Sequence, residues 1–216
     1  MGQHGTPGRQ RAPRTVEVDP ERLTRWVAGF AERHGPPCWS TRGDALLLTA
    51  PDGAEAVVEP VGPSGPVPAG VEGLAYWAEP PQRTGLVLVR RGGYAVGAAV
   101  GERLTASKVG TRYVQSRTAA GGWSQQRYAR RRGNQADALA VAVAGHALRV
   151  VVPSSPEHLV LGGDRALVRD VLAAPQLVAL ATLPRRELYD LPDPRLSVLE
   201  QALRRGRAVR ITLVQP

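Results

Sequence analysis

The sequence predicts an α/β chain of the α+β kind, a mixed sheet with helices packed on it, preceded by a small N-terminal α+β unit. Three observations carry that expectation. In the second half of the chain, short runs rich in β-branched residues alternate with longer stretches of helical period, the order that builds a sheet with helices against it. Ahead of them, VGPSGPVPAG at 61–70 holds too many Pro and Gly for regular structure, and irregular sequence continues to about residue 84. With 216 residues and 43% hydrophobic content, the chain can bury a core without disulfide staples. The expected organisation is a disordered basic arm over 1–14, an α+β unit with its Pro/Gly-rich linker over 15–83, and a larger domain over 84–216.

Each element has a local reason. Residues 20–33, PERLTRWVAGFAER, place Leu23, Trp26, Val27 and Phe30 at helical spacing behind Asp19 as N-cap and Pro20 as first residue. DALLLTAP and AEAVVEP read as two strands around Pro-Asp-Gly at 51–53, because Asp-Gly supplies the backbone that a tight hairpin needs. LVLVR at 86–90, a Gly-Gly turn at 92–93 and YAVGAAV at 94–100 form a second hairpin, and ERLTASKVGTRYV continues as further strand. Residues 124–147 read as a long helix whose apolar stripe, Ala129, Ala136, Leu139, Ala140, Val143 and Ala147, strengthens toward its C-terminal end. HLVLGG is a buried strand, 165–174 a helix, LVALATL a strand, 194–205 an amphipathic helix and AVRITLV the closing strand.

Composition then removes function classes. The single cysteine, Cys38, excludes an internal disulfide framework and Cys-rich metal spacing, and it points to a reducing, cytosolic home. Neither a signal peptide nor a run of 18 apolar residues occurs, so no membrane partner is expected. Four histidines, His4, His34, His146 and His158, stand in no nucleophile elbow, and each is expected in a surface or capping role. There is no His-x-x-x-His, Cys-x-x-Cys or paired acidic cluster, so no metal and no cofactor is expected. The glycines of RRGGYAVGAAVGERL lie in strand-turn-strand, where a nucleotide-binding loop would lead into a helix.

What remains is charge and one segment. The net charge is +9, and residues 103–136 contain Arg103, Lys108, Arg112, Arg117, Arg127, Arg130, Arg131 and Arg132 without a single Asp or Glu. That distribution favours nucleic acid as the partner. Within it lies RTAAGGWSQQRYARRRGNQA, 117–136, where a Gly-Gly pair precedes Trp123, two glutamines and the arginine run. At helical spacing Arg127, Arg130 and Arg131 share a face that can follow a phosphate backbone. A generic nuclease of the two-metal type would need clustered carboxylates, and this window has none.

LVLVRRGGYAVGAAVGERL followed by GGWSQQRYARRR resembles the catalytic middle domain of the eukaryotic and archaeal class I translation release factors. There a hairpin with a glycine turn leads into a loop ending in Gly-Gly-Gln, then Ser and a basic helix. The match is closer to the Vms-like release factor relatives, in the actinobacterial-type branch, and covers about residues 84–216. The resemblance implies an RNase H-like fold for that part. It implies a peptidyl-tRNA hydrolase that frees nascent chains on stalled or split ribosomes, with the large subunit and its peptidyl transferase centre, the tRNA CCA end and rRNA as partners.

Laid without gaps on Gly-Gly-Gln-Ser, Trp123 occupies the glutamine position and Ser124 the serine. Vms-like members carry the glutamine later, which makes Gln125 the first candidate and Gln126 the second. By the same resemblance Gly121 and Gly122 bring main chain to the ester, and Arg117, Arg127, Arg130, Arg131, Arg132, Lys108 and Arg112 hold RNA. Trp123 either stacks on a base or sugar of the tRNA end or anchors the loop base. The alternative reading is a ribosome- or RNA-binding module that keeps fold and charge and has lost hydrolysis, as Trp123 in the glutamine position suggests.

Overall fold

The computed structural model describes residues 12–62, 65–111 and 123–215, with backbone alone over 123–134. In chain order the elements are β1 (Arg14–Val18), α1 (Leu23–His34), β2 (Cys38–Arg42), β3 (Ala45–Thr49), β4 (Glu55–Glu59), α2 (Leu74–Trp77), β5 (Arg83–Arg90), β6 (Gly93–Val100) and β7 (Arg103–Thr111). They continue with α3 (Trp123–Val150), β8 (His158–Gly163), α4 (Arg165–Leu172), α5 (Val178–Ala181), β9 (Arg185–Leu188), α6 (Leu196–Arg207) and β10 (Val209–Val214). Two compact units result, one from residues 1–80 and 207–216, the other from 81–206.

In the first unit five strands form a sheet in the order β1-β10-β4-β3-β2, with antiparallel neighbours throughout. The hairpin β3–β4 forms where Pro-Asp-Gly predicts it: Ala50 N–H donates to Ala54 O at 2.9 Å, and the Asp52 carboxylate accepts from Ala54 N–H at 3.0 Å. Leu23, Val27 and Phe30 of α1 are buried with Leu46, Leu48, Val58 and Ile211. The first unit runs to Pro80, past the Pro/Gly-rich stretch at 61–70, and the last strand departs from the expected 84–216 domain. β10 lies in the first sheet, between β1 and β4, because its alternating Val209, Ile211 and Leu213 complete that core. β1 and β2 had no local signal of their own.

The second unit holds a sheet in the order β7-β6-β5-β8-β9. β5, β6 and β7 are an antiparallel meander, and β8 and β9 run parallel to β5. This is the strand order and direction of an RNase H-like sheet. One face buries Leu86, Leu88 and Val160 against Val198, Leu199 and Leu203 of α6. The other buries Val87, Val89 and Leu161 against α3 and α4. LVALATL, expected as a strand, is helical from Pro175 to Ala181: Leu177 and Leu180 are buried and Val178 is exposed, a spacing of three that a strand does not give. The strand is instead the neighbouring RREL of β9, whose alternation of exposed Arg185 and Glu187 with buried Arg186 and Leu188 is that of a sheet edge.

Helix α3 begins one residue before the expected start and ends at Val150. By length and composition Gln135–Ser154, with mean hydropathy 1.5, would also suit a membrane span. Its apolar stripe is already used, since Leu139, Val143 and Ala147 are fully buried in the unit's core.

His4 lies outside the described residues, His34 keeps a place at a helix end, and His158 departs from the expected surface role. His34, at the end of α1, lies 2.8 Å from the Asp52 carboxylate, and this contact, followed by the Ala54 N–H, holds Asp52 below its ordinary range. His158 opens β8 opposite Thr84 and is 2% exposed. Burial, with a smaller push from Arg186, takes its pKa from 6.5 down to about 4. Between those values the unfolded chain takes up a proton that the folded chain refuses, so stability falls as pH drops through the window, by up to about 3 kcal/mol from this group. Denaturant titrations across the window should show a flatter pH dependence for His158→Gln than for the wild type. Equal slopes would show that His158 does not set it.

Candidate functional site

The residues singled out in the sequence converge on β7 and α3, the two elements that flank residues 112–122. Lys108 is exposed on β7, paired with Val96 of β6. Arg112, Arg117, Gly121 and Gly122 lie outside the described residues. Trp123, Gln125, Gln126, Arg127, Arg130, Arg131 and Arg132 all fall in the first three turns of α3. Gln125 and Gln126, being consecutive, stand about 100° apart around the axis. Arg127, Arg130 and Arg131 lie in the backbone of the same helical stretch.

How far the helix carries these residues follows from its anchorage. At its far end, Val151 and Leu159 crowd Gly85 of β5 so closely that a Cβ there would come within 2.6 Å of Val151. Five residues earlier, His146 meets Tyr94, whose partner on β5 is Val89. Helix and strand therefore advance together toward the Arg90 end of the sheet. From Gly85 to Arg90 the strand rises about 17 Å. The 28 residues of α3 span about 42 Å. The first residue of α3 thus stands about 25 Å past the sheet's end. The opening turn of α3 sits at the positive end of the helix dipole.

The base of this arm is clamped by groups the sequence reading passed over. The Tyr94 hydroxyl is 2.8 Å from His146 Nε2, and the two rings stack with centroids 5.0 Å apart. Arg149 Nη2 lies 3.0 Å from His146 Nδ1. A guanidinium only donates, so Nδ1 accepts and Nε2–H donates to the tyrosine oxygen, which requires the neutral imidazole. The surroundings favour that form, since burial first, then Arg149 and Lys108, lower the His146 pKa. On the other side of the ring is Gly110, cross-strand partner of Tyr94, where a Cβ would come within 2.5 Å of the phenol. Tyr94 therefore bridges the end of β7 and the side of α3. Its partner His146 is 52 residues away, a pairing that no local pattern signals.

Charge separates the two units. The unit spanning 81–206 carries 19 Lys/Arg against 9 Asp/Glu, and the other carries 9 against 10, so the whole excess of the chain belongs to the unit with the arm. Among the described residues no group of three or more His, Cys, Asp or Glu is placed to hold a metal ion.

Residues 82–212 match the family model described as acVLRF1, the Actinobacteria/chloroflexi VLRF1 release factor. No curated protein matches the sequence. Among solved structures the chain is similar to the "Vms1 mitochondrial localization core", at 11% identity and TM-score 0.44, with 85% of this chain and 80% of that chain covered. It is also similar to an archaeal translation termination factor, aRF1, at 12% identity and TM-score 0.33, with 84% of this chain and 61% of that chain covered. Both structural likenesses are too low to argue from. The family match, by contrast, takes in more than half of the chain.

The clamp gives a stability test. Tyr94→Phe keeps the ring and removes one hydrogen bond, and should cost about 1 kcal/mol. Gly110→Ala forces a methyl into the ring and should cost about 1–3 kcal/mol. Urea denaturation measures both. A Gly110→Ala protein as stable as the wild type would show that the ring does not lie across β7.

Proposed function

The chain belongs to the Actinobacteria/chloroflexi VLRF1 release factor family, and from that membership we propose that it is a ribosome-associated peptidyl-tRNA hydrolase. In this reading it cleaves the ester between nascent peptide and tRNA on stalled or split ribosomes, in the cytoplasm. The observation that carries the proposal is the arm: a helix standing about 25 Å beyond its sheet, with two amide side chains in its first turn and an acid-free basic stretch around them. An arm of that length suits a substrate at the bottom of a narrow RNA-walled cavity, the peptidyl transferase centre of the large subunit.

The chemistry asks little of ionisable groups. The ester is activated, so hydrolysis needs a placed water and a stabilised oxyanion, and no acid-base pair with tuned pKa values. A glutamine amide has one acceptor and two donors, enough to orient a water toward the carbonyl carbon. The positive dipole at the start of α3 favours the negative charge that develops on the carbonyl oxygen. Gly121 and Gly122 would let main chain come against the ester, since no Cβ intervenes. Arg127, Arg130 and Arg131, with Arg132, Arg112 and Arg117, and with Lys108 further back on β7, would hold rRNA and the tRNA CCA end, and Trp123 would stack on a base or sugar there.

Of the two glutamines, Gln125 is the first assignment and Gln126 the second. In single-turnover release from purified ribosome–nascent-chain complexes, Gln125→Ala should lower the rate about a hundredfold or more, with ribosome co-sedimentation unchanged. Gln126→Ala should be milder. If both single variants and the double variant release peptide at the wild-type rate, or the wild type releases none, the protein is a binding module and the hydrolase reading falls.

The arginine face makes a separate forecast. Replacing Arg127, Arg130 and Arg131 by Gln should reduce the log-log salt dependence of ribosome binding by about 2–3. An unchanged salt slope would remove these residues from the RNA contact.

A further inference from the structure

Beside α4, at the β9 edge of the second sheet, lies a groove of about 400 Å³. Its floor is apolar, made by Leu161, Val168 and Leu172, all buried. Its walls carry three guanidiniums, Arg165 and Arg169 from α4 and Arg185 from β9, with Glu187 as the one carboxylate in the lining. Tyr189 is half-buried at one side, and Glu187 accepts a hydrogen bond from its hydroxyl. The Arg165 guanidinium lies over the Tyr189 ring at 4.5 Å from its centroid. Arg185 spends one donor on Ala181 O at 2.8 Å, and Arg169 reaches Asp170 at 3.4 Å. Each guanidinium has five N–H donors, so most of the donors in this groove remain to serve a ligand.

We propose that this groove is a second RNA site, distinct from the arm, taking one nucleotide of a single-stranded RNA with its base stacked on Arg165 and its phosphates on Arg169 and Arg185. The argument rests on shape and charge together. A guanidinium held over an aromatic ring can offer its outer side to a second planar group, and a nucleobase has the π-face to continue that layering. The apolar floor accommodates the unstacked base. Two further guanidiniums on the rim match the phosphates that flank it, since guanidinium and phosphate pair through two parallel hydrogen bonds. An acidic peptide would satisfy the charge but has no need of the Tyr189–Arg165 layer. The inference rests on the ribosomal reading in taking RNA as the natural polyanion, and its test does not use peptide release.

The test uses the full chain with Arg127, Arg130 and Arg131 changed to Gln in every protein compared, so that arm binding is weakened equally throughout. Fluorescence anisotropy compares a labelled uridine pentamer with an abasic ribose-phosphate pentamer. Arg165→Lys keeps charge and loses the planar face, and should weaken the uridine oligomer about fivefold or more while leaving the abasic one as it was. Arg169→Gln with Arg185→Gln should weaken both. A uridine oligomer bearing 4-thiouridine should cross-link to the peptide containing Tyr189, and lose that cross-link in the Arg165→Lys protein. Substitutions that leave both oligomers unaffected overturn the proposal. So does a Glu- and Phe-rich peptide that binds more tightly than RNA through the same three arginines. RNA bound in the groove by a protein that releases no peptide would overturn the hydrolase reading and leave this site standing.

Discussion

The grip of the second sheet on the C-terminal half of α3 is the constraint on which the rest of the site depends. Half of that helix is packed, through Leu139, Val143 and Ala147 and the close approach of Val151 to Gly85, and the other half is a lever. A tilt of about 5° at the anchorage would move a tip about 25 Å away by about 2 Å, in a chemistry where displacements of about 1 Å already cost orders of magnitude in rate. The Tyr94–His146 contact works against such tilting, because it joins the side of the helix to the strand that leads toward residues 112–122. Gly85 and Gly110 belong to the same device: one allows the helix end down onto the sheet, the other allows the ring across β7.

Electrostatics repeats the division of labour. An arm that enters an RNA-walled cavity must lack carboxylates near its tip, and none occurs between Arg103 and Ala136. The first unit carries 9 basic and 10 acidic residues and so contributes no general attraction for polyanions. Whatever RNA affinity the chain has therefore has a direction built in, presented by the unit that holds α3, α4 and β9.

Much of this was legible in the sequence where the signal is local. Pro-Asp-Gly fixed the β3–β4 hairpin, the spacing of Leu23, Val27 and Phe30 fixed α1, and the strengthening apolar stripe of α3 told which half would be packed. Strand pairing is non-local, and there sequence reasoning failed. β10 reads as a strand from its alternation, yet nothing in AVRITLV says that its neighbours are β1 and β4. RREL gives no strand signal because an edge strand shows two charged residues outward, and LVALATL reads as a strand because a short apolar run fits either period. At the site, residue types announced themselves through glycines, amides and guanidiniums. The Tyr94, His146 and Gly110 clamp did not, since its members are ordinary residues made special only by meeting.

The insertion of one unit within the other carries a consequence for biosynthesis. Thr15 and Thr212, whose hydroxyls meet at 3.2 Å, are 197 positions apart, and β10 occupies an interior place in its sheet. During vectorial synthesis β1 has no partner, and β4 lacks one side, until every residue of the RNase H-like unit has been made. That unit is contiguous and is synthesised in full before β10; the first sheet is not. Completion of the first sheet is thus a late checkpoint, reached only after the arm-bearing unit exists, and a chain truncated ahead of β10 would carry a finished α3 on a molecule whose other half still exposes an open strand edge.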